Sequence, residues 1–202
     1  MEKKKTYTDG TAKESHHKSR VTQCARKQRP GQVPAKIFSI VGGGRVRVWE
    51  YYKGNWCTEK YVEHFEKYVV PIVLEMREEN NGRPIFVLRD GDPKSHASNA
   101  GRSMENLYSQ FFTLMEQPTY TPELNTLDNS IWVLVKKEME LEVQGWEKQH
   151  PTLFWEENFS AFCARARRVA LALPEELVGP CLEHSRTVCE KLIAAKGWYI
   201  HG

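Results

Sequence analysis

Two aspartates in this sequence lie where carboxylates could hold metal ions. Asp90 directly follows the apolar run Phe-Val-Leu-Arg at 86–89, and Asp128 lies near the start of a predicted helix, after a turn at Pro122. The two acids have 37 residues between them. Carboxylates that converge from a strand end and from a helix can hold Mg²⁺, which prefers hard oxygen ligands. Because ions held in this way cut and join phosphodiesters, the pair predicts metal-dependent chemistry on a phosphodiester.

Each of these aspartates also has a simpler explanation. An aspartate after a strand often only forms a turn, and Asp92 competes with Asp90 for any role in the same loop. An acid in the first turn of a helix, such as Asp128, is favoured by the helix dipole alone. The chemistry therefore depends on which elements bring the acids together.

Alternating apolar residues and turn-forming residues predict six strands. These strands cover residues 5–9, 20–25, 35–41, 45–52, 84–88 and 110–115. The glycines at 42–44 predict a hairpin between the third strand and the fourth. The fourth strand is predicted to alternate, with Val46, Val48 and Glu50 on one face and Arg47, Trp49 and Tyr51 on the other.

Helical spacing of apolar residues predicts five helices. They cover 58–76, 98–108, 127–143, 157–171 and 174–195. Thr58 is the predicted N-cap of the first helix, and Pro71 is predicted to kink it. The predicted elements run in the order strands, helix, strand, helix, strand and then helices. The RNase H-like fold has this order of elements. That α/β fold has a mixed sheet, antiparallel at first and parallel after the crossover helix, flanked by helices.

Four segments carry a resemblance to a known family. The first three are Thr-Asp at 8–9, Gly-Gly-Arg-Val-Arg-Val-Trp at 43–49 and Asp-Gly-Asp-Pro at 90–93. The fourth is Thr-Pro-Glu-Leu-Asn at 121–125, which is followed by Asp128 and Trp132. Together they resemble the catalytic core of mariner-superfamily (DDE/D) transposases. The spacing of 37 residues is similar to that of the family's all-aspartate branches.

The resemblance implies a fold, an activity and a set of site residues. It implies an RNase H-like catalytic domain over 1–150 and a helical extension packed on it over 151–202. The implied activity is hydrolysis and rejoining of DNA phosphodiesters with two Mg²⁺ or Mn²⁺ ions. The catalytic and metal-binding residues implied are Asp9, Asp90 and Asp128, with His96 and Asp92 as accessory residues. Apart from the resemblance, the basic residues Lys94, Lys136 and Lys137 are candidate contacts to DNA phosphates, with a solvated face as the alternative for Lys136 and Lys137.

The sequence also departs from the family pattern. Gly10 replaces the glutamate that follows the first acid, and Thr126 and Leu127 replace Pro-Ile. The chain begins a few residues before Asp9, so the paired helix-turn-helix domains that bind transposon ends are expected to be absent. These departures predict a truncated or relic form. They keep open an inactive RNase H-like domain that binds DNA or a protein without cutting.

Composition narrows the class of protein. The 202 residues suit one domain, 40% are hydrophobic and 27% are charged. No apolar run approaches the ~20 residues that span a bilayer, so a membrane protein is not expected. Five scattered cysteines are typical of reduced thiols in an intracellular protein, nuclear if the cell is eukaryotic.

The first 36 residues hold ten Lys/Arg against three acids, as in a segment that binds phosphates. DNA is the expected partner, a homodimer stays open, and no small-molecule cofactor is expected.

Overall fold

An antiparallel hairpin opens the part of the chain that can be described. The structure, a computed structural model, describes residues 36–89, 98–117 and 124–195. Strands β1 (Ile37–Gly42) and β2 (Arg45–Tyr51) pair from Ile37 with Tyr51 to Gly42 with Arg45. Between them, Gly43 and Gly44 have φ of 58° and 76°. Because glycine adopts positive φ without a Cβ clash, this pair forms the tight turn, and the predicted hairpin is confirmed.

Strand β2 is buried on both of its faces. Val46, Val48 and Trp49 are buried, and the Arg47 side chain is only 4% exposed. The Arg47 guanidinium donates to Glu79 at 2.6 Å and to Glu75 at 3.0 Å. The hydrogen bond from Arg47 lowers the pKa of the Glu79 carboxyl. These ion pairs let an arginine occupy a covered position, since a buried charge must be paired.

One long helical segment follows the hairpin and contains a π-helical turn. It consists of α1 (Thr58–His64), the π-helical turn Phe65–Val69 and α2 (Val70–Glu79). Pro71 lies in the first turn of α2. Because proline has no N–H to donate to the preceding turn, the irregularity next to it has a direct cause. The predicted N-cap is wrong: Thr58 is the first helical residue, and Cys57 precedes the helix without a capping side-chain bond.

A parallel strand pair forms the second ladder. Strands β3 (Phe86–Arg89) and β4 (Thr113–Glu116) pair from Phe86 with Thr113 to Arg89 with Glu116. Helix α3 (Asn99–Tyr108) lies between them in sequence, and the Ser98 side chain caps it by accepting from Gly101 N at 3.0 Å. The strand expected at 110–115 begins later because Phe111 N bonds Tyr108 O in a turn.

The two ladders have the pairing expected of the mixed sheet. Among the described residues they remain separate, β1–β2 antiparallel and β3–β4 parallel. The strands predicted at 5–9 and 20–25 lie outside the described residues.

Three helices complete the described chain. A π-helical turn at Leu127–Ile131 leads into α4 (Trp132–Gln149), which continues beyond the predicted end at 143. Helices α5 (Phe159–Leu171) and α6 (Glu175–Ala194) follow. None of the helices in the described ranges is long and apolar enough to cross a membrane.

Two clusters of buried side chains hold these elements together. One lies among β2 and the three C-terminal helices: Val46, Trp49, Ile131, Val135, Met139, Ala166, Val169, Ala170, Leu173 and Val178. The other lies among α1, α2, α3 and the parallel pair: Tyr61, Phe65, Val69, Val73, Ile85, Met104 and Phe112. The division into a catalytic domain at 1–150 and an extension at 151–202 stays a prediction.

Candidate functional site

Asp128 is the predicted ligand whose surroundings the structure describes. Its carboxylate is exposed, and both of its oxygens accept hydrogen bonds from side chains. Asn125 Nδ2 donates to Oδ2 at 2.8 Å, and Trp132 Nε1 donates to Oδ1 at 3.0 Å. A carboxylate has about four lone-pair positions, so these two bonds leave acceptor capacity for a cation.

The helix that carries Asp128 is anchored against β2. Ile131 is fully buried and Val135 is 3% exposed. The Trp132 ring lies 4.5 Å from the ring of Trp49, centroid to centroid, at an angle of 60°. This packing places Trp132 and Val135 toward β2, while Asp128 at the start of the helix is exposed.

A partly buried polar network holds the end of β3. Arg89 donates to Glu105 of α3, to Tyr61 of α1 at 3.0 Å and to Glu116 of β4 at 2.6 Å. Tyr61 in turn donates to Glu105 at 2.5 Å. Burial, together with the hydrogen bond to Glu105, raises the pKa of Tyr61 well above its usual range.

This network is a feature that the sequence motifs did not predict. Arg89 is the residue immediately before Asp90, and its side chain is 14% exposed. A single arginine that bonds three elements fixes the end of β3, which Asp90 follows directly in the sequence. The only local sign of this network was a charged residue at the end of an apolar strand. Glu105 and Tyr61 are too distant from Arg89 in sequence to be recognised as its partners.

Five further residues belong to the predicted site. Asp9, Asp90, Asp92, Lys94 and His96 lie outside the described residues. In the ranges that are described, no group of three or more His, Cys, Asp or Glu could hold a metal ion. The convergence of Asp9 and Asp90 with Asp128 therefore stays a prediction.

Comparison with known proteins gives matches in structure but not in sequence. No protein-family model and no curated protein matches the chain. The catalytic domain of Mos1 mariner transposase matches with a TM-score of 0.57 and 12% identity over 83% of this chain and 82% of that one. The same catalytic domain with Raltegravir and Mn matches with a TM-score of 0.58, again at 12% identity and over 83% of each chain.

The chain has the fold of a mariner transposase catalytic domain. The predicted resemblance and the predicted RNase H-like α/β class are confirmed at the level of fold. A third match, to the Mos1 mariner paired-end complex with Mn, has a TM-score of 0.60 and 15% identity over 87% of this chain. It covers 48% of the Mos1 chain, so this sequence spans about half of that protein.

Two of the predicted DNA contacts can be located on the mariner-type fold. Lys136 and Lys137 are exposed on α4, one and two residues after the buried Val135. The Lys136 ammonium lies 3.8 Å from Glu140, one helical turn on. An exposed pair of this kind contributes little to stability, so it would not keep Lys136 from contacting a phosphate.

Proposed function

We propose that this chain is a mariner-type, metal-dependent DNA endonuclease and strand transferase. The observation that carries the proposal is the mariner transposase catalytic fold, with an exposed and oriented Asp128 carboxylate at the start of the helix packed on β2. The proposal extends to the 1–150 catalytic domain and its 151–202 extension. It also includes action on DNA, in the nucleus if the cell is eukaryotic, with a homodimer left open.

The site we propose consists of Asp9, Asp90 and Asp128. Their carboxylates fit two Mg²⁺ or Mn²⁺ ions in chemical type, and the Asp128 oxygens keep acceptor capacity after binding Asn125 and Trp132. When bound, such ions would activate a water or a DNA 3′-hydroxyl and stabilise the leaving 3′-oxygen. Solved structures of the Mos1 catalytic domain with Mn and with Mg are consistent with this choice of metals.

The remaining predicted residues have supporting roles in this proposal. His96 would orient a phosphate or the attacking water, with Asp92 as a second accessory residue, since the cap of α3 is Ser98. Lys94, Lys136 and Lys137 would bind the phosphates of the DNA backbone. The Arg89 network would hold the end of β3 in place, next in sequence to the proposed ligand Asp90.

Cleavage of supercoiled DNA tests the proposed function directly. We expect the purified chain to nick a supercoiled plasmid in Mg²⁺ or Mn²⁺ and to leave it intact in EDTA. A folded chain that binds DNA but cuts nothing in either metal would contradict the endonuclease. That outcome would favour the inactive binding module, for which Gly10 in place of a glutamate is the supporting observation.

We expect binding to DNA to be independent of sequence and to weaken steeply with salt. The proposed contacts are lysine to phosphate, and phosphate contacts carry no sequence information. Removal of one lysine that binds a phosphate should reduce the slope of log K against log salt by about 0.9 for duplex DNA. Replacing both Lys136 and Lys137 by Ala should therefore reduce that slope by roughly 2.

Fluorescence anisotropy with several unrelated duplexes, from low to moderate salt, measures this slope. Lys148→Ala is the matched control, since Lys148 is exposed near the far end of the same helix. An unchanged slope in the Lys136/Lys137 variant would remove these two residues from the interface. A preference for one duplex sequence would contradict binding through phosphates alone.

A further inference from the structure

Two side chains determine the orientation of the Asp128 carboxylate before any metal binds. Within the described part of the chain, Asn125 and Trp132 are the donors to its two oxygens, at 2.8 Å and 3.0 Å. We infer that Trp132 and Asn125 are positioning residues, which hold the Asp128 carboxylate in the rotamer that binds the metal ion. The inference rests on the proposed metal site and adds residues that the acidic motif does not contain.

Trp132 is itself fixed by the tertiary structure. Its ring packs at 4.5 Å against Trp49, which is 2% exposed in β2, and the preceding residue, Ile131, is fully buried. The indole N–H is thus aimed by the packing of a helix on a strand more than 80 residues away in sequence. A donor held in this way orients its acceptor with little loss of its own rotamer freedom.

Asn125 is fixed from two directions. Its Oδ1 accepts from the backbone N–H of Leu127 at 3.1 Å and of Asp128 at 3.4 Å, which leaves Nδ2 aimed at the Asp128 carboxylate. Next to it, Thr126 is 8% exposed, and its hydroxyl lies 2.6 Å from the hydroxyl of Ser185 in α6. The segment that contains Asn125 is therefore held against α6 by the hydrogen bond between Thr126 and Ser185.

The arrangement fits a metal ligand better than a helix cap. The carboxylate of a capping aspartate accepts from backbone N–H groups of its own helix. Here the backbone N–H groups bond Asn125, and both Asp128 oxygens accept from neutral side chains. Neutral donors leave the full negative charge on the carboxylate, so its attraction for a cation is retained while its orientation is set.

The test is Mn²⁺ binding to the whole chain, measured by calorimetry without DNA. Trp132→Phe keeps the aromatic packing on Trp49 and removes the N–H, and Asn125→Ser keeps an acceptor for the backbone and removes the amide donor. Removal of a partner behind a metal ligand typically weakens affinity 10–100-fold. We expect each variant to bind Mn²⁺ about 10-fold more weakly than the unmodified chain, with its far-UV circular dichroism unchanged.

The matched control is Trp146→Phe, the same substitution further along α4. Trp146 stacks on His150 at 4.4 Å and packs against Trp155 at 5.5 Å, away from Asp128. Its Mn²⁺ affinity should equal that of the unmodified chain. A purely structural role for Trp132 and Asn125 would lower the melting temperature and leave Mn²⁺ affinity unchanged.

The outcomes separate this inference from the proposed function. If Asp128→Asn weakens Mn²⁺ binding while Trp132→Phe and Asn125→Ser bind within about twofold of the unmodified chain, the positioning role is wrong and the metal site stands. If the unmodified chain binds no Mn²⁺, or Asp128→Asn binds as well as it does, the metal site and the inference both fail.

Discussion

Asp128→Asn is expected to abolish Mg²⁺-dependent cleavage while the chain stays folded, and Asp90→Asn is expected to do the same. Asparagine keeps the shape of the side chain but removes the negative charge that offsets clustered dications. The decrease should exceed the 10–100-fold typical of residues that act behind a ligand, because the ligand itself is changed. Glu140→Gln is the matched control, since it neutralises an exposed carboxylate on the same helix.

Melting curves with and without Mg²⁺ distinguish a metal ligand from a structural aspartate. A ligand present at 100 times its dissociation constant stabilises the folded state by about 2.7 kcal/mol. For a chain of this size that is a rise of roughly 5–10 °C in melting temperature, at about 2–4 °C per kcal/mol. We expect the unmodified chain and Glu140→Gln to show this rise and Asp128→Asn to lose most of it.

Without metal, Asp128→Asn should shift the melting temperature only slightly. The asparagine can accept from Trp132 or from Asn125 but cannot accept from both, which costs up to about 1 kcal/mol. Relief of repulsion between the three proposed carboxylates acts in the opposite direction. An unmodified chain whose melting temperature does not respond to Mg²⁺ would show that the site is inactive and would support the relic form.

Trp49→Ala is expected to cost about 3–5 kcal/mol of the free energy of unfolding. Trp49 is 2% exposed and is one of the largest buried side chains in the cluster formed by β2, α4, α5 and α6. Alanine removes most of the side chain and leaves a cavity that rigid neighbouring elements cannot fill. At about 2–4 °C per kcal/mol, the melting temperature should fall by roughly 6–20 °C.

Urea unfolding followed by circular dichroism measures this destabilisation. Phe154→Ala is the control, because Phe154 is 87% exposed and its truncation should change stability by no more than about 0.5 kcal/mol. Trp49→Phe, which keeps a ring against Trp132, should lie between the two. A decrease below about 1 kcal/mol for Trp49→Ala would contradict the packing of α4 on β2.

Local signals in the sequence were sufficient to predict the order of the described elements. The glycine pair at 43–44 determines the hairpin because only a turn with positive φ joins strands so closely. Ser98 marks the start of α3 because its side chain caps the helix within the same turn. Apolar spacing predicted the helices because burial of one face requires that period. The acidic motif likewise placed Asp128 at a helix start, where the structure has it.

Only the tertiary structure decided which groups meet. Arg47 looked like one member of an alternating strand, yet its side chain is covered and paired with Glu75 and Glu79, about thirty residues away. The hydrogen bond from Trp132 to Asp128 has a local spacing, but its direction is set by Trp49 on another element. Packing and charge pairing depend on distances between segments that a local pattern does not contain. For the same reason, the sequence names Asp9 and Asp90 as partners of Asp128, but only their relative positions in space can make the three a site.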